Sequence, residues 1–323
     1  MITLWNHPVE GPVVHDPMKR RVRLRDLDTL LAVVQAGGMR KAALELHLSQ
    51  AAVSKAMRSL EDALGVPLLD RSRLGVEPTA FGNALAQRTR AAFDQLGQAV
   101  RDIEHLGDPQ GGELHGAAME TLNAGLLGAA VEQMSRRYRH MRFMIETGDS
   151  HHMINHFLRG HLGEFAVARP RTLPLPAELV GERLFVDRYA VVVGQLHRHA
   201  KRRKIKLEEL ADEQWVTSVA ESKAGSPLHR AFASAGLPMP IPRLISSSLN
   251  MRYALLATGL WVTLIPRSIL RFMPSLVLLK ALPIELPTWE IPNMIITNRD
   301  RAVGPVASKF LDTIRELARS LES

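Results

Sequence analysis

The stretch "HLSQAAVSKAMRSLEDALG", His47 to Gly65, decides how the N-terminal part of this chain folds. Val53, Met57, Leu60 and Leu64 recur at helical spacing, and Ser49 stands where a side-chain oxygen can take up a free amide of a helix opening at Gln50. That leaves Gln50, Ala51, Ser54, Lys55 and Arg58 on other faces, with the acidic Glu61 and Asp62 held back to the C-terminal half. Upstream, Leu24, Leu27, Leu30, Leu31 and Val34 predict a first helix that stops at Gly37-Gly38. A second helix follows over 39–48, with the small residues Ala42 and Ala43 on its inner face. Two helices joined by a short turn, the second polar at its start, make a helix-turn-helix whose second helix can enter a major groove. Gln and Ser can pair with base edges, Ala can touch a thymine methyl, and Lys or Arg can reach phosphate or guanine.

The flanking residues extend this unit. "VPLLDRSRLGVEPTAFG", Val66 to Gly82, reads as two short strands of a hairpin wing around Arg71 and Arg73. From Thr79, a capping residue, a helix is expected to run to about Leu106. Phe81, Leu85, Ala92, Leu96, Ala99, Ile103 and Leu106 fall near a heptad pattern on it, with Arg88 in one slot. So narrow a stripe calls for a partner helix from a second copy of the chain. "GDPQGG", Gly107 to Gly112, then marks a linker.

Composition sets the bounds. The 323 residues suffice for two or three units with their own cores, and there is no cysteine, which excludes disulfides and thiolate ligands. The net charge of +8 permits a polyanionic partner, and between Lys19 and Arg73 eleven Lys/Arg stand against six Asp/Glu. A second basic run, "HRHAKRRK" from His197 to Lys204, reads as a solvated loop. The first twenty residues hold no uninterrupted apolar stretch and the apolar run 253–266 is broken, so no signal peptide or membrane span is expected and the cytoplasm is the expected location.

Beyond the linker, strand-like and helix-like segments alternate. "ELHGAAM", a helix near 122–138, "RFMIETG", a helix near 151–159 and "EFAVAR" form one round. "YAVVVG", "LEELADEQ", "WVTSV", "PLHRAFASAG", "PRLISS", a helix near 249–258 and "LWVTLIP" form another, before "NMIITN" and a last helix from about Pro305 to Leu321. Two α/β units in succession predict two lobes, with ligand contacts from strand-end loops facing a cleft.

The residues "LRDLDTLLAVVQAGGMRKAALELHLSQAAVSKAMRSLEDALGVPLLDRSRLGVEPTAFG" resemble the DNA-binding region of the LysR-type transcriptional regulators. The likeness runs over about sixty residues with almost no gap, and the rest of the chain is similar in length and layout to that family's effector domain. "DIEHLGDPQGGEL", "LLATGLWVTLIP" and "LRFMPSLVLLKALPIELP" resemble the branch that holds regulators of protocatechuate catabolism and of a galactose-binding protein. The resemblance implies an α/β protein with an N-terminal winged helix-turn-helix over 22–80, a long linker and dimerisation helix over 81–107, and a two-lobed, periplasmic-binding-protein-like (type 2) effector domain over 112–321. It implies a homodimer or homotetramer on double-stranded promoter DNA, with a small-molecule effector between the lobes and RNA polymerase as a further candidate partner. On this chain the implied groove-facing positions are Gln50, Ala51, Ser54, Lys55 and Arg58, with Arg71 and Arg73 as wing or backbone contacts. The implied effector positions are Thr121, Gly148, Asp149, Ser218, Val219, Ser247 and Ser248. Where many members carry an acidic residue leading "D-L-A-I", this chain has Gly163-Glu164-Phe165-Ala166.

Ser and Thr at strand ends also serve as ordinary turn chemistry. No G-x-S-x-G elbow or nucleophile–base set appears, so no catalytic residue, no cofactor and no metal is assigned. In "SHHMINHFLRGH", His152 and His156 lie four apart with His151 and His161 nearby, a spacing a metal could bridge, but the carboxylate or thiolate that would complete such a site is missing. Trp215, Trp261 and Trp289 read as packing beside strands. The effector expected is an organic or aromatic carboxylate; a sugar and, through the His151–His161 cluster, a metal are the alternatives.

Overall fold

The structure is a computed structural model that describes residues 22–72, 75–159, 162–170, 172–272, 278–287 and 291–322. It divides into two compact units at Asp94/Gln95.

In the first unit α1 (Leu24–Ala36), α2 (Met39–Glu45) and α3 (Gln50–Leu64) pack around Leu30, Val33, Met57 and Leu60, all essentially inaccessible. Gly37 ends α1 with φ 66°, a left-handed turn that suits a residue without Cβ. The second helix is shorter than its spacing suggests: the chain leaves it at Leu46, and His47 takes φ 52° in the turn before α3. Ser49 caps α3 as expected, its Oγ accepting from the Ala52 amide at 3.2 Å. Ser49→Ala should therefore cost the unit about 0.5–2 kcal/mol in a denaturant titration, and an unchanged midpoint would show that the cap is idle.

The wing is the antiparallel pair β1 (Leu69–Ser72) and β2 (Gly75–Pro78). Glu61 ties it to α3 by accepting from the Leu68 and Leu69 amides at 2.8 and 3.3 Å. Thr79 caps α4 (Ala80–Gly107), its Oγ1 accepting from the Gly82 amide at 3.0 Å. A Cβ on Gly82 would lie 2.0 Å from the Leu68 carbonyl oxygen, so the wing and α4 close on each other only over glycine.

The second unit holds two five-stranded sheets. The first has the order β4-β3-β5-β12-β6, built from β3 (Gly111–Ala118), β4 (His140–Thr147), β5 (Phe165–Ala168), β6 (Leu179–Phe185) and β12 (Asn293–Asn298). The second has the order β11-β7-β10-β8-β9, from β7 (Tyr189–Gly194), β8 (Gln214–Thr217), β9 (Leu244–Ile245), β10 (Trp261–Pro266) and β11 (Leu279–Ala281). The lobes are not consecutive in sequence, as simple alternation suggests. β12 pairs antiparallel with β5 and β6, so the chain crosses between lobes twice, and the last helix, α11 (Pro305–Glu322), packs on the first lobe. Its Phe310 ring lies 5.8 Å from Phe143 and 5.7 Å from Phe165 in that lobe's core.

The helices over the first sheet are interrupted. α5 (Glu120–Leu122) runs through a π-helical turn, Asn123–Leu127, into α6 (Gly128–Arg137), and α7 (Ser150–His152) runs into another, Met153–Leu158. Over the second sheet lie α8 (Pro227–Ser234), α9 (Leu249–Ala257) and α10 (Arg267–Phe272), while "LEELADEQ" forms only a 3-10 turn, Leu207–Leu210. Among the described residues no helix is long and apolar enough to cross a membrane.

Candidate DNA-reading helix and ligand cleft

On α3 the buried side chains Val53, Met57 and Leu60 form one face. Gln50, Ala51, Lys55 and Arg58 are exposed and Ser54 is half-buried, so one helix presents amide, methyl, hydroxyl and two cations to solvent. Among the described residues none of the three charged or amide side chains, Gln50, Lys55 and Arg58, is locked in an ion pair; Arg58 makes a long bond, 3.4 Å, to the Ser54 carbonyl oxygen one turn back. Arg71 lies on β1, but its side chain and all of Arg73 fall outside the described residues.

The apolar stripe of α4 remains uncovered in the single chain. Phe81, Leu96, Ile103 and Leu106 are 49–81% exposed. On the other face, within the second unit, Gln98 is buried and His105 bonds through Nδ1 to the Gly111 carbonyl oxygen at 3.0 Å and through Nε2 to Lys309 at 3.1 Å.

Between the lobes of the second unit lies a cleft of about 1170 Å³. Thr121, Gly148, Asp149, Ser218, Val219 and Ser247 all line it. Ser248 does not: its Oγ caps α9 by accepting from the Met251 amide at 3.3 Å, which is turn chemistry. Local roles also occupy others. Asp149 Oδ1 accepts from the His152 amide at 2.8 Å, and Ser218 exchanges bonds with Glu221, its amide donating to Oε2 at 2.8 Å and its Oγ accepting from the Glu221 amide at 3.2 Å. A Cβ on Gly148 would lie 2.8 Å from the His152 ring.

The charged floor of the cleft was not anticipated from sequence. Arg252, on α9, is 2% exposed; its Nη2 reaches Glu221 Oε2 at 2.9 Å, Thr263 Oγ1 at 2.6 Å and the Leu264 carbonyl oxygen at 2.6 Å. Arg169 follows β5 and is 8% exposed. Its Nη1 donates to Tyr189 Oη at 2.6 Å and its Nη2 to Asn293 Oδ1 at 3.1 Å, while its Nε is buried with no hydrogen-bond partner. No described carboxylate forms an ion pair with it, in contrast to Arg252. Burial pushes the Tyr189 phenol up, so it stays a neutral hydroxyl beside this cation. The Ser150 Oγ donates to the Arg169 carbonyl oxygen at 2.8 Å, tying the loop after β4 to the end of β5. Burial also raises the Asp187 carboxyl, which accepts from the Ser268 hydroxyl and amide beside the crossover between the lobes. The signal for Arg169 in the sequence is an arginine closing the apolar run "FAVA", but only the fold shows it buried with no carboxylate in contact, Asp187 acting on it only at longer range.

Other candidates resolve as follows. Among the described residues no group of three or more His, Asp or Glu is placed to hold a metal ion. His151 bonds to Asn155 at 3.1 Å, His152 lies 3.8 Å from Glu146, and the π-helical turn alters the register between His152 and His156; His161 and the His156 side chain fall outside the described residues. The second basic run is less solvated than its composition suggests. His197 and His199 are buried against Glu213, at 3.6 and 2.9 Å, and burial holds the His197 imidazole below its usual range. Trp215 is fully buried and donates to the Leu210 carbonyl oxygen at 2.8 Å, Trp261 is half-buried, and Trp289 lies outside the described residues.

A capped, solvent-facing helix with a wing, on the same chain as a two-lobed unit with a polar cleft, defines a DNA-binding regulator with a ligand domain. Residues 24–83 match the model described as "Bacterial regulatory helix-turn-helix protein, lysR family", and residues 107–319 match "LysR substrate binding domain". The chain belongs to the LysR family of transcriptional regulators, which are not enzymes. It is 23% identical to the regulator YfeR of Shigella flexneri over 92% of this chain and 95% of that protein. It is 24% identical to PcaQ of Agrobacterium fabrum over 94% of this chain and 97% of that protein, and 24% identical to GbpR of Azospirillum brasilense over 94% and 91%. Among solved structures, ArgP from Mycobacterium tuberculosis superposes with a TM-score of 0.63 at 18% identity, covering 92% of this chain and 97% of that one. Full-length CbnR complexed with its target DNA gives 0.61 at 19% identity, covering 91% and 99%. These structures share the fold.

Proposed function

We propose that this regulator binds promoter DNA through α3 and changes that binding when a small organic carboxylate, aromatic or aliphatic, enters the cleft with its anion toward Arg169. Residues 22–80 read DNA, residues 81–107 pair two copies through the exposed stripe of α4, and residues 112–321 sense the ligand. Gln50, Ala51, Ser54, Lys55 and Arg58 face the groove, with Arg71 and Arg73 on the flanking backbone. Thr121, Gly148, Asp149, Ser218, Val219 and Ser247 supply the polar walls of the ligand site. The response is a linkage: a ligand that prefers one arrangement of the lobes and subunits moves the DNA-bound population toward it.

The observation that carries the ligand class is Arg169, a guanidinium nine-tenths buried in the cleft wall with an unpartnered Nε and no paired carboxylate. A buried guanidinium with no carboxylate in contact, only the longer-range charge of Asp187, is costly, and an anion arriving beside it would offset that cost. The test is calorimetric titration of the wild type and of Arg169→Gln with a panel of organic acids and their neutral amides. At least one acid should bind the wild type, its amide should not, and Arg169→Gln should weaken the acid by about 30-fold or more, the equivalent of about 2 kcal/mol. Equal binding of an acid to both proteins, or binding of a neutral sugar alone, would contradict the reading.

A further inference from the structure

One hydrogen bond across the cleft joins the two lobes next to the place where α10 of the second lobe packs on the π-helical turn of the first at Gly125 and Ile269. Glu120 opens α5 directly after β3, in the first lobe, and Leu249 opens α9 in the second. The Glu120 Oε1 accepts from the Leu249 amide at 2.9 Å, between residues 129 apart in sequence. The first amides of a helix have no partner within it and carry its positive end, so a carboxylate is the acceptor they favour. On α9 two of them are served separately: Met251 by the local cap Ser248, and Leu249 by an anion from the opposite lobe. Glu120 is half-buried and lines the cleft, as do Leu249 and Arg252 behind it, so the bond stands in the space a ligand would fill. The other polar contacts near the junction, Arg169 with Tyr189 and Asp187 with Ser268, lie beside the crossing segments, where rotation of one lobe against the other moves atoms least.

We propose that Glu120 is a latch: its carboxylate, seated on the N-terminus of α9, sets the separation of the lobes in the ligand-free protein. Glu120 thus stands in for an external anion, and a ligand that takes the α9 amides must first release it. Because a latch can shift an equilibrium only by the difference between its contacts in the two arrangements, removing it moves the ligand-free population toward the unlatched one. The proposal rests on the reading of the cleft as the ligand site, but its test needs no ligand, so loss of the carboxylate reading would leave the result below standing.

The experiment compares the full-length wild type, Glu120→Gln and Glu120→Ala without ligand. Amide hydrogen exchange is read at Leu249 and at Met251, the latter reporting that α9 and its local cap remain folded. In Glu120→Ala the Leu249 amide should exchange at least about tenfold faster while Met251 is unchanged, with Glu120→Gln, which keeps an acceptor but loses the charge, in between. The chain has no cysteine, so Arg136→Cys on α6 and Lys201→Cys in the second lobe introduce two unique spin-label sites. In protein diluted with unlabelled chain, the label–label distance distribution should shift or broaden in Glu120→Ala. Identical Leu249 exchange and identical distance distributions in wild type and Glu120→Ala would overturn the proposal.

Discussion

Arg252→Ala is expected to destabilise the ligand-binding unit by about 3–5 kcal/mol, a large part of the roughly 5–15 kcal/mol that holds an ordinary domain folded. The guanidinium is 2% exposed and every contact it makes is internal: Glu221, the Thr263 hydroxyl and the Leu264 carbonyl oxygen. Thr263 in turn donates to the Val216 carbonyl oxygen at 2.7 Å, so the network ties α9 to β8 and β10. Among the described residues, removing the arginine leaves the Glu221 carboxylate, 6% exposed, with the Ser218 amide as its one remaining donor. The cost is the stranded charge more than the lost attraction, so the pair Arg252→Met with Glu221→Gln should recover most of the loss. Urea unfolding followed by circular dichroism of the full chain reads both. A loss below about 1 kcal/mol in the single variant would show that solvent reaches Glu221 more freely than its burial indicates.

Lys55→Ala with Arg58→Ala should weaken binding to all DNA and flatten its salt dependence, whereas Gln50→Ala should lower affinity for the preferred site while leaving binding to unrelated sequence nearly unchanged. Each cation on a phosphate releases about one counterion, so the double variant should reduce the slope of log K against log salt by about two. A lost amide pairing with a base edge is worth about 1–3 kcal/mol of discrimination, roughly 5- to 150-fold. The contrast follows from α3: Gln50 and Ala51 lie at its exposed N-terminal end, with Lys55 and Arg58 one and two turns further along. Fluorescence anisotropy over a salt series measures both effects. Unchanged affinity and slope in Lys55→Ala/Arg58→Ala would contradict this orientation of the helix.

The N-terminal unit was legible because local signals agree there. Gly37-Gly38, Ser49 and the Val53–Met57–Leu60 spacing each fix one boundary or one face, and the structure keeps all of them. Only the end of α2 moved, where His47 adopts a left-handed turn that no residue pattern announces. In the second unit the strands with continuous apolar runs, such as "YAVVVG" and "NMIITN", were evident, but β6, interrupted by Gly181, Glu182 and Arg183, has no such run and was not assigned. The return of β12 to the first sheet is a long-range pairing that alternation does not encode. For the cleft, six of the seven positions that the family resemblance implies line its wall, where loops after parallel strands converge. Arg169, Arg252 and Glu120 escaped because their meaning lies in what they face. Arg252 is spent on Glu221, Arg169 has no such partner, and Glu120 acts across the cleft; each is a fact of tertiary placement.

The most direct test of the central claim is to sequence the genomic fragments retained by the purified full-length protein, with and without the organic acids of the binding panel. The account predicts recovery of one or a few inverted-repeat sites, lost or repositioned on addition of an acid in the wild type and not in Arg169→Gln. Retention of sequence-indifferent fragments alone, equally with and without every acid, would contradict it.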